Sequence, residues 1–317
     1  MASGWRRVLA SRWFKLALSA LLLGVLFYET NLGEMRAAMS SADPLWMLAA
    51  LAGSIFSQAL SAYRWWLLAR AVGFQQPFST VLSYYFSGMY LNLFGPGTVT
   101  GDIGRTLYLA SGQRRGLALT TVVAHRLTGF VTLAWMGAIA VIVIPHHPLP
   151  AIARWLAALL LPTSVVAALY GPRLAARLLP TTNNWRHMIE HDLAPYWHDR
   201  RLLVQTLTLA TLTHLLQMLC QAFVALALGL HLPLAFFFVV MPLVNTGGTL
   251  PFSMSGVGVR EAGYWYFLSQ DGVAREPAIA LGLLTSLVVL VTAATGLPFF
   301  LHARQAPGDG QASTAQP

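Results

Sequence analysis

The sequence predicts an all-α polytopic membrane protein with about six full transmembrane helices and two re-entrant broken-helix hairpins in an inverted repeat. Three observations predict it. The chain of 317 residues is 56% hydrophobic and only 10% charged, whereas a soluble domain carries about a quarter charged residues. Its twenty Lys and Arg collect in alternate loops between the apolar segments, as the positive-inside rule requires of cytoplasmic loops. Two Gly/Pro/Ser/Thr-rich stretches, one ending at Arg105 and one at Arg260, interrupt otherwise apolar sequence.

Taken in order, Arg6, Arg7, Arg12 and Lys15 flank the apolar run Leu16–Tyr28. Val8–Tyr28 matches the roughly 20 residues a span needs, and no small-x-small cleavage site follows, so a signal anchor with its N-terminus in the cytoplasm is expected. Glu29–Asp43, with three acids and one arginine, reads as an outside loop. Residues 45–69 form the second span, with Arg64 beside Trp65 and Trp66 near its inner end, where it can snorkel to the interface.

Residues 78–94 run into Gly95-Pro96-Gly97 and are followed by 103–110, Arg114 and Arg115. A full crossing would put both arginines outside; a re-entrant hairpin keeps them in the cytoplasm. The alternative is a Pro-kinked pair of ordinary spans. Residues 117–144, with His125 and Arg126, cross outward. In the turn Pro145–Pro150, His146 and His147 lack further ligands for a metal site. Residues 152–170 return inward. Residues 171–201, with five arginines, three acids, His187, His191 and His198, read as a cytoplasmic interfacial helix.

Residues 202–230 cross outward again. His214, Gln217 and Gln221 fall on one helical stripe that faces other helices or a polar cavity rather than lipid; interhelical hydrogen bonding explains them without a ligand. Residues 277–303 end inside at Arg304, which leaves 234–270 as a second hairpin entered from the opposite face. The membrane domain is then 1–304, with repeats at roughly 45–144 and 202–303, and 305–317 form a disordered cytoplasmic tail. This topology puts thirteen Lys/Arg inside, three outside, and Arg64, Arg105, Arg126 and Arg260 at or near membrane depth.

The two broken stretches share the pattern P-x-[ST]-x-[ST]-G-x-x-x-R. Pro96, Thr98, Thr100, Gly101 and Arg105 match Pro251, Ser253, Ser255, Gly256 and Arg260. Pro and Gly end a half-helix, and Ser/Thr hydroxyls satisfy freed backbone groups or cap the next one. The exposed helix N-terminus favours an anion, and a guanidinium adds bidentate phosphate recognition. Arginines at depth must pair or face water or an anionic ligand; Asp102 and Glu261 are the acids at hand, and an Asp102–Arg105 pair at i, i+3 is the purely structural alternative.

These stretches resemble a known family. Leu91–Arg105 looks like the N-F-x-x-P-G-x-x-G-G-D-x-x-R segment of the lysylphosphatidylglycerol synthase transmembrane-domain family, also called the flippase-like domain family, and Leu250–Ala262 looks like its L-P-x-S-x-G-G-x-G-x-R-E segment. Ala62–Trp65 and His125–Gly129 sit where that family carries short basic segments; Thr100 and Ser255 replace usual glycines, and His125 stands where an acid is expected. The resemblance implies a multi-pass inner-membrane protein, N- and C-termini cytoplasmic, that moves an anionic or modified phospholipid between leaflets. The sequence ends at Pro317, so a stand-alone member without the aminoacyl transferase domain is expected, and no synthase activity.

The expected substrate-binding residues are Arg105, Arg260, Asp102, Glu261, Thr98, Thr100, Ser253, Ser255, Arg126 and Arg64. No catalytic residue, cofactor or metal is expected: Cys220 is the lone cysteine, and no P-loop or nucleic-acid module is visible. The expected partner is a membrane lipid with an anionic headgroup; a lipid-pathway enzyme and a homo-oligomer are compatible with the sequence. Two other functions stay open. One is an intramembrane lipid-modifying enzyme using Asp102, His125 and Glu261; the other is a non-transporting scaffold for a lipid, glycolipid or hopanoid pathway.

Overall fold

A computed structural model describes residues 30–94, 99–110, 114–143, 184–249 and 258–305, with a few isolated positions besides, and these are helical without strands. The predicted first span, the 152–170 span and residues 306–317 lie outside the described residues, as do Pro96, Thr98, Pro251, Ser253 and Ser255.

The first helix, α1 (Leu32–Ser40), occupies sequence expected as loop. Its start was legible in Asn31-x-x-Glu34: Asn31 Oδ1 accepts from Gly33 and Glu34 N–H (3.0 and 3.3 Å), and Asn31 donates to Glu34 Oε1 (2.8 Å). Next come α2 (Pro44–Ala71), α3 (Phe78–Leu91), α4 (Val99–Ala110) and α5 (Arg115–Val143). The polar segment folds as α6 (Asn184–His187), a π-helical turn (Met188–Asp192) and α7 (Ala194–His198). The second half contains α8 (Arg200–Ala227), α9 (Leu234–Thr249), α10 (Val259–Gln270), α11 (Arg275–Ala294) and α12 (Leu297–Gln305).

Four stretches among the described residues are long and apolar enough to cross a bilayer: Pro44–Ala71, Arg115–Ala140, Arg200–Ala227 and Arg275–His302. They coincide with predicted spans, and the protein is a multi-pass membrane protein. The last carries a turn at Thr295–Gly296 that the sequence reading ran through. Gly296 is needed there, because a Cβ would collide with the carbonyl of Phe86; the turn seats Phe299 on Phe86 and Phe300 on Tyr90 (centroids 5.3 and 5.4 Å).

The same order appears twice. A 28-residue helix (α2, α8) is followed by two short helices of 14 and 12 residues (α3, α4) or 16 and 12 residues (α9, α10), then by a long apolar stretch. At about 1.5 Å per residue the short helices reach only about 18–24 Å. Each 28-residue helix starts at an aspartate cap: Asp43 Oδ1 accepts from Leu45 N–H (2.7 Å), and Asp199 Oδ1 from Leu202 N–H (3.0 Å). α2 and α8 run antiparallel. Asp43 N–H donates to Ala227 O (2.9 Å) at one end, and Gly53 lets Cys220 approach so closely that an added Cβ would lie 2.8 Å from Sγ.

The hairpin α3–α4 closes through glycines. A Cβ on Gly88 would lie 2.9 Å from Gly101 O, and one on Gly104 2.6 Å from Leu91. Arg114 fastens its far end, donating to Gly73 O (3.1 Å) and Val72 O (2.9 Å) across the face of Phe74. At the polar segment Tyr196 is buried and donates to Leu68 O (3.1 Å), and burial raises its phenol above the ordinary tyrosine range. The outward faces of the long helices carry exposed Leu48, Phe56, Ile139, Val204 and Leu212, a surface suited to lipid.

Candidate functional site

Four arginines, from α2, α4, α5 and α10, line one cavity of about 630 Å³ between the two halves: Arg64, Arg105, Arg126 and Arg260. Among the described residues, Asp102 is the one carboxylate in its wall.

Asp102 sits in the first turn of α4, one helical turn before Arg105. Its Oδ1 accepts from Arg105 and its Oδ2 from Arg126 on α5, so a single carboxylate ties two guanidiniums together. Arg105 is 7% exposed, and its guanidinium lies over Trp65 (5.2 Å) and Tyr85 (4.9 Å). Arg126 is the more open of the two, with its side chain 42% exposed.

Arg64 is 4% exposed, and its Nη2 lies 3.1 Å from His125 Nε2, which also lies 3.1 Å from Ser61 Oγ and 3.2 Å from Ser61 O. That ring nitrogen accepts from Arg64 in one tautomer and donates to the Ser61 carbonyl in the other. Nε and Nη1 of Arg64 are buried without a hydrogen-bond partner. Gly129 makes room for this guanidinium: a Cβ there would lie 3.2 Å from Nη2. His214 Nε2 donates to Gly129 O (3.0 Å), which joins α8 to the same place.

Arg260 is 7% exposed and donates from Nη1 to Ser286 Oγ (2.9 Å), which donates to Glu261 Oε1 (2.6 Å). Glu261 Oε2 accepts from Gly258 N–H (2.6 Å), where φ is +87° and glycine is favoured. Nε of Arg260 is buried without a partner. A Cβ on Gly282 would lie 2.6 Å from the Glu261 Cα, so α11 packs directly on this carboxylate's backbone.

Of the predicted site residues, the four arginines and Asp102 come together. Glu261 is fully buried behind the wall and Thr100 lies outside the lining; Thr98, Ser253 and Ser255 fall outside the described residues. Several lining groups lie outside the residues expected from the sequence. His214, Gln217 and Gln221 all face the cavity, and their shared stripe was the available signal. Gln58, Asn92 and Tyr85 do so as well; the two amides were readable as polar residues in or next to apolar helices. The lining also includes apolar residues, Leu127 and Phe130 of α5 and Val289 and Leu290 of α11, all of them exposed.

A model of the lysylphosphatidylglycerol synthase transmembrane region matches residues 12–296, a span holding both arginine stretches and every lining residue. The chain belongs to that family. The membership assigns it a membrane lipid-related role and agrees with a stand-alone transmembrane domain. No curated protein matches the chain.

Proposed function

We propose that this protein is a lipid flippase that carries an anionic phospholipid between leaflets. The observation that carries the reading is the convergence of four arginines on one membrane-embedded cavity with a single, already paired carboxylate. Guanidiniums held at depth call for an anionic ligand or water, and the unpartnered N–H groups of Arg64 and Arg260 suit phosphate oxygens. The exposed apolar lining residues of α5 and α11 would accommodate acyl chains while the headgroup sits among the arginines.

The repeated helix order and the antiparallel α2–α8 pair support an inverted repeat, the architecture of many secondary transporters. The short α3–α4 and α9–α10 pairs, each helix too short to span, support re-entrant hairpins entering from opposite faces. Rocking of the halves would expose the cavity to each leaflet in turn. The arrangement fits an inner-membrane protein with both termini in the cytoplasm. Transport is favoured over lipid-modifying chemistry because Asp102, His125 and Glu261, the groups acid–base work would use, are each engaged by neighbours.

Labelled phosphatidylglycerol in proteoliposomes tests the proposal. Arg64→Ala and Arg260→Ala should each lower the transport rate at least tenfold with the protein still folded. Wild-type rates in both variants would refute the headgroup role.

A further inference from the structure

The geometry points to a headgroup without an ammonium group: the cavity takes a phosphate bearing hydroxyls and rejects an aminoacylated phospholipid. This rests on the lipid-transport reading and narrows its substrate. Hydrogen-bond direction carries it. An ammonium brings only donors and needs a carboxylate or other acceptors around it. Both oxygens of Asp102, the one carboxylate lining the cavity among the described residues, already accept from Arg105 and Arg126. The oxygens of Glu261, behind the wall, accept from Gly258 N–H and Ser286 Oγ–H (2.6 Å each).

The amides point the same way. Asn92 Oδ1 accepts from Gly101 N–H (2.6 Å) and Gln221 Oε1 from the Tyr264 hydroxyl, while the Tyr85 hydroxyl, with one proton, lies within reach of Gln58 Oε1 (3.1 Å) and Ser61 Oγ (3.0 Å). Such bonds take up part of each amide oxygen's accepting capacity and leave the N–H₂ groups as donors on residues that line the cavity. The buried Nε and Nη1 of Arg64 and Nε of Arg260 are further donors without a partner; the unpartnered buried groups of the lining that can accept are His214 Nδ1 and the Thr285 hydroxyl. Phosphate oxygens and glycerol hydroxyls supply acceptors to such a wall; a lysyl group supplies two cations and meets four guanidiniums, a like-charge placement that works against the wrong ligand.

The test compares phosphatidylglycerol with lysyl-phosphatidylglycerol in two readouts on the full chain. One is retention of each lipid by the purified protein in native mass spectrometry, the other their transport in proteoliposomes. Phosphatidylglycerol should be favoured at least tenfold in both. Gln58→Glu keeps an acceptor for Tyr85 and replaces the amide donor with a carboxylate, so it should narrow the preference several-fold without lowering the melting temperature. Equal retention of the two lipids by wild type, or a preference that Gln58→Glu leaves unmoved, would overturn the inference. Selective retention without transport of either lipid would refute the flippase reading and leave the selectivity standing. Equal transport of both would do the reverse.

Discussion

Arg105 and Arg260 hold the same place in P-x-[ST]-x-[ST]-G-x-x-x-R, yet their acids come from different positions and do different work. Asp102 precedes Arg105 by three residues, so the two share a helix face and pair directly, with Arg126 completing the bridge. Glu261 follows Arg260 by one residue, which turns it about 100° away. It bonds the N–H of Gly258 at its own helix start and reaches Arg260 only through Ser286. One half holds its arginine by charge and aromatic stacking; the other uses its acid to end a helix and leaves part of its arginine unbonded.

The largest effect expected from breaking this contrast is at Glu261. Glu261→Ala strips a fully buried carboxylate and leaves the buried Arg260 charge without its relay, a loss on the order of 3–5 kcal/mol. Thermal unfolding in detergent measures it, and a shift no larger than that of a surface substitution would contradict the arrangement. Asp102→Asn comes next. It should cost about 1–3 kcal/mol, less than Glu261→Ala, because the Asp102 side chain is 15% exposed and Arg126 42%. It also removes the negative charge beside Arg105 and Arg126, so retention of phosphatidylglycerol should rise while stability falls; a parallel loss of both would show Asp102 to be needed for the seat itself.

Ser286→Ala is expected to be the mildest, about 1–2 kcal/mol for one buried hydroxyl bridge. Its double-mutant cycle with Glu261→Ala should show strong coupling, since both act on the same chain of bonds. Additive losses would mean that Ser286 does not relay the charge.

Much of this architecture could be read ahead. Apolar length and arginine placement located α2, α5, α8 and the last span to within a few residues, and the Gly/Pro interruptions separated α3 from α4. The four arginines at depth were visible because hydrocarbon penalises charge irrespective of fold. The bond from Asp102 to Arg126, 24 residues onward, was not legible, because it depends on how α4 packs on α5. The same holds for the contact of His125 with Arg64 and Ser61: a histidine in an apolar helix reads equally as a base or as a packing residue until its neighbours are known. The helix α1 was legible in its capping residues, Asn31 and Glu34, although the acids of this segment also fit an outside loop.

The close approach of Gly53 to Cys220 sets how the halves are coupled. With 2.8 Å between a would-be Cβ and the sulfur, α2 and α8 are flush at that level, and Asp43 pins the same pair near its end. In the rocking proposed for the halves this contact would be the axle, with the travel elsewhere. A side chain at position 53 would act as a wedge in it, against the buried Cys220.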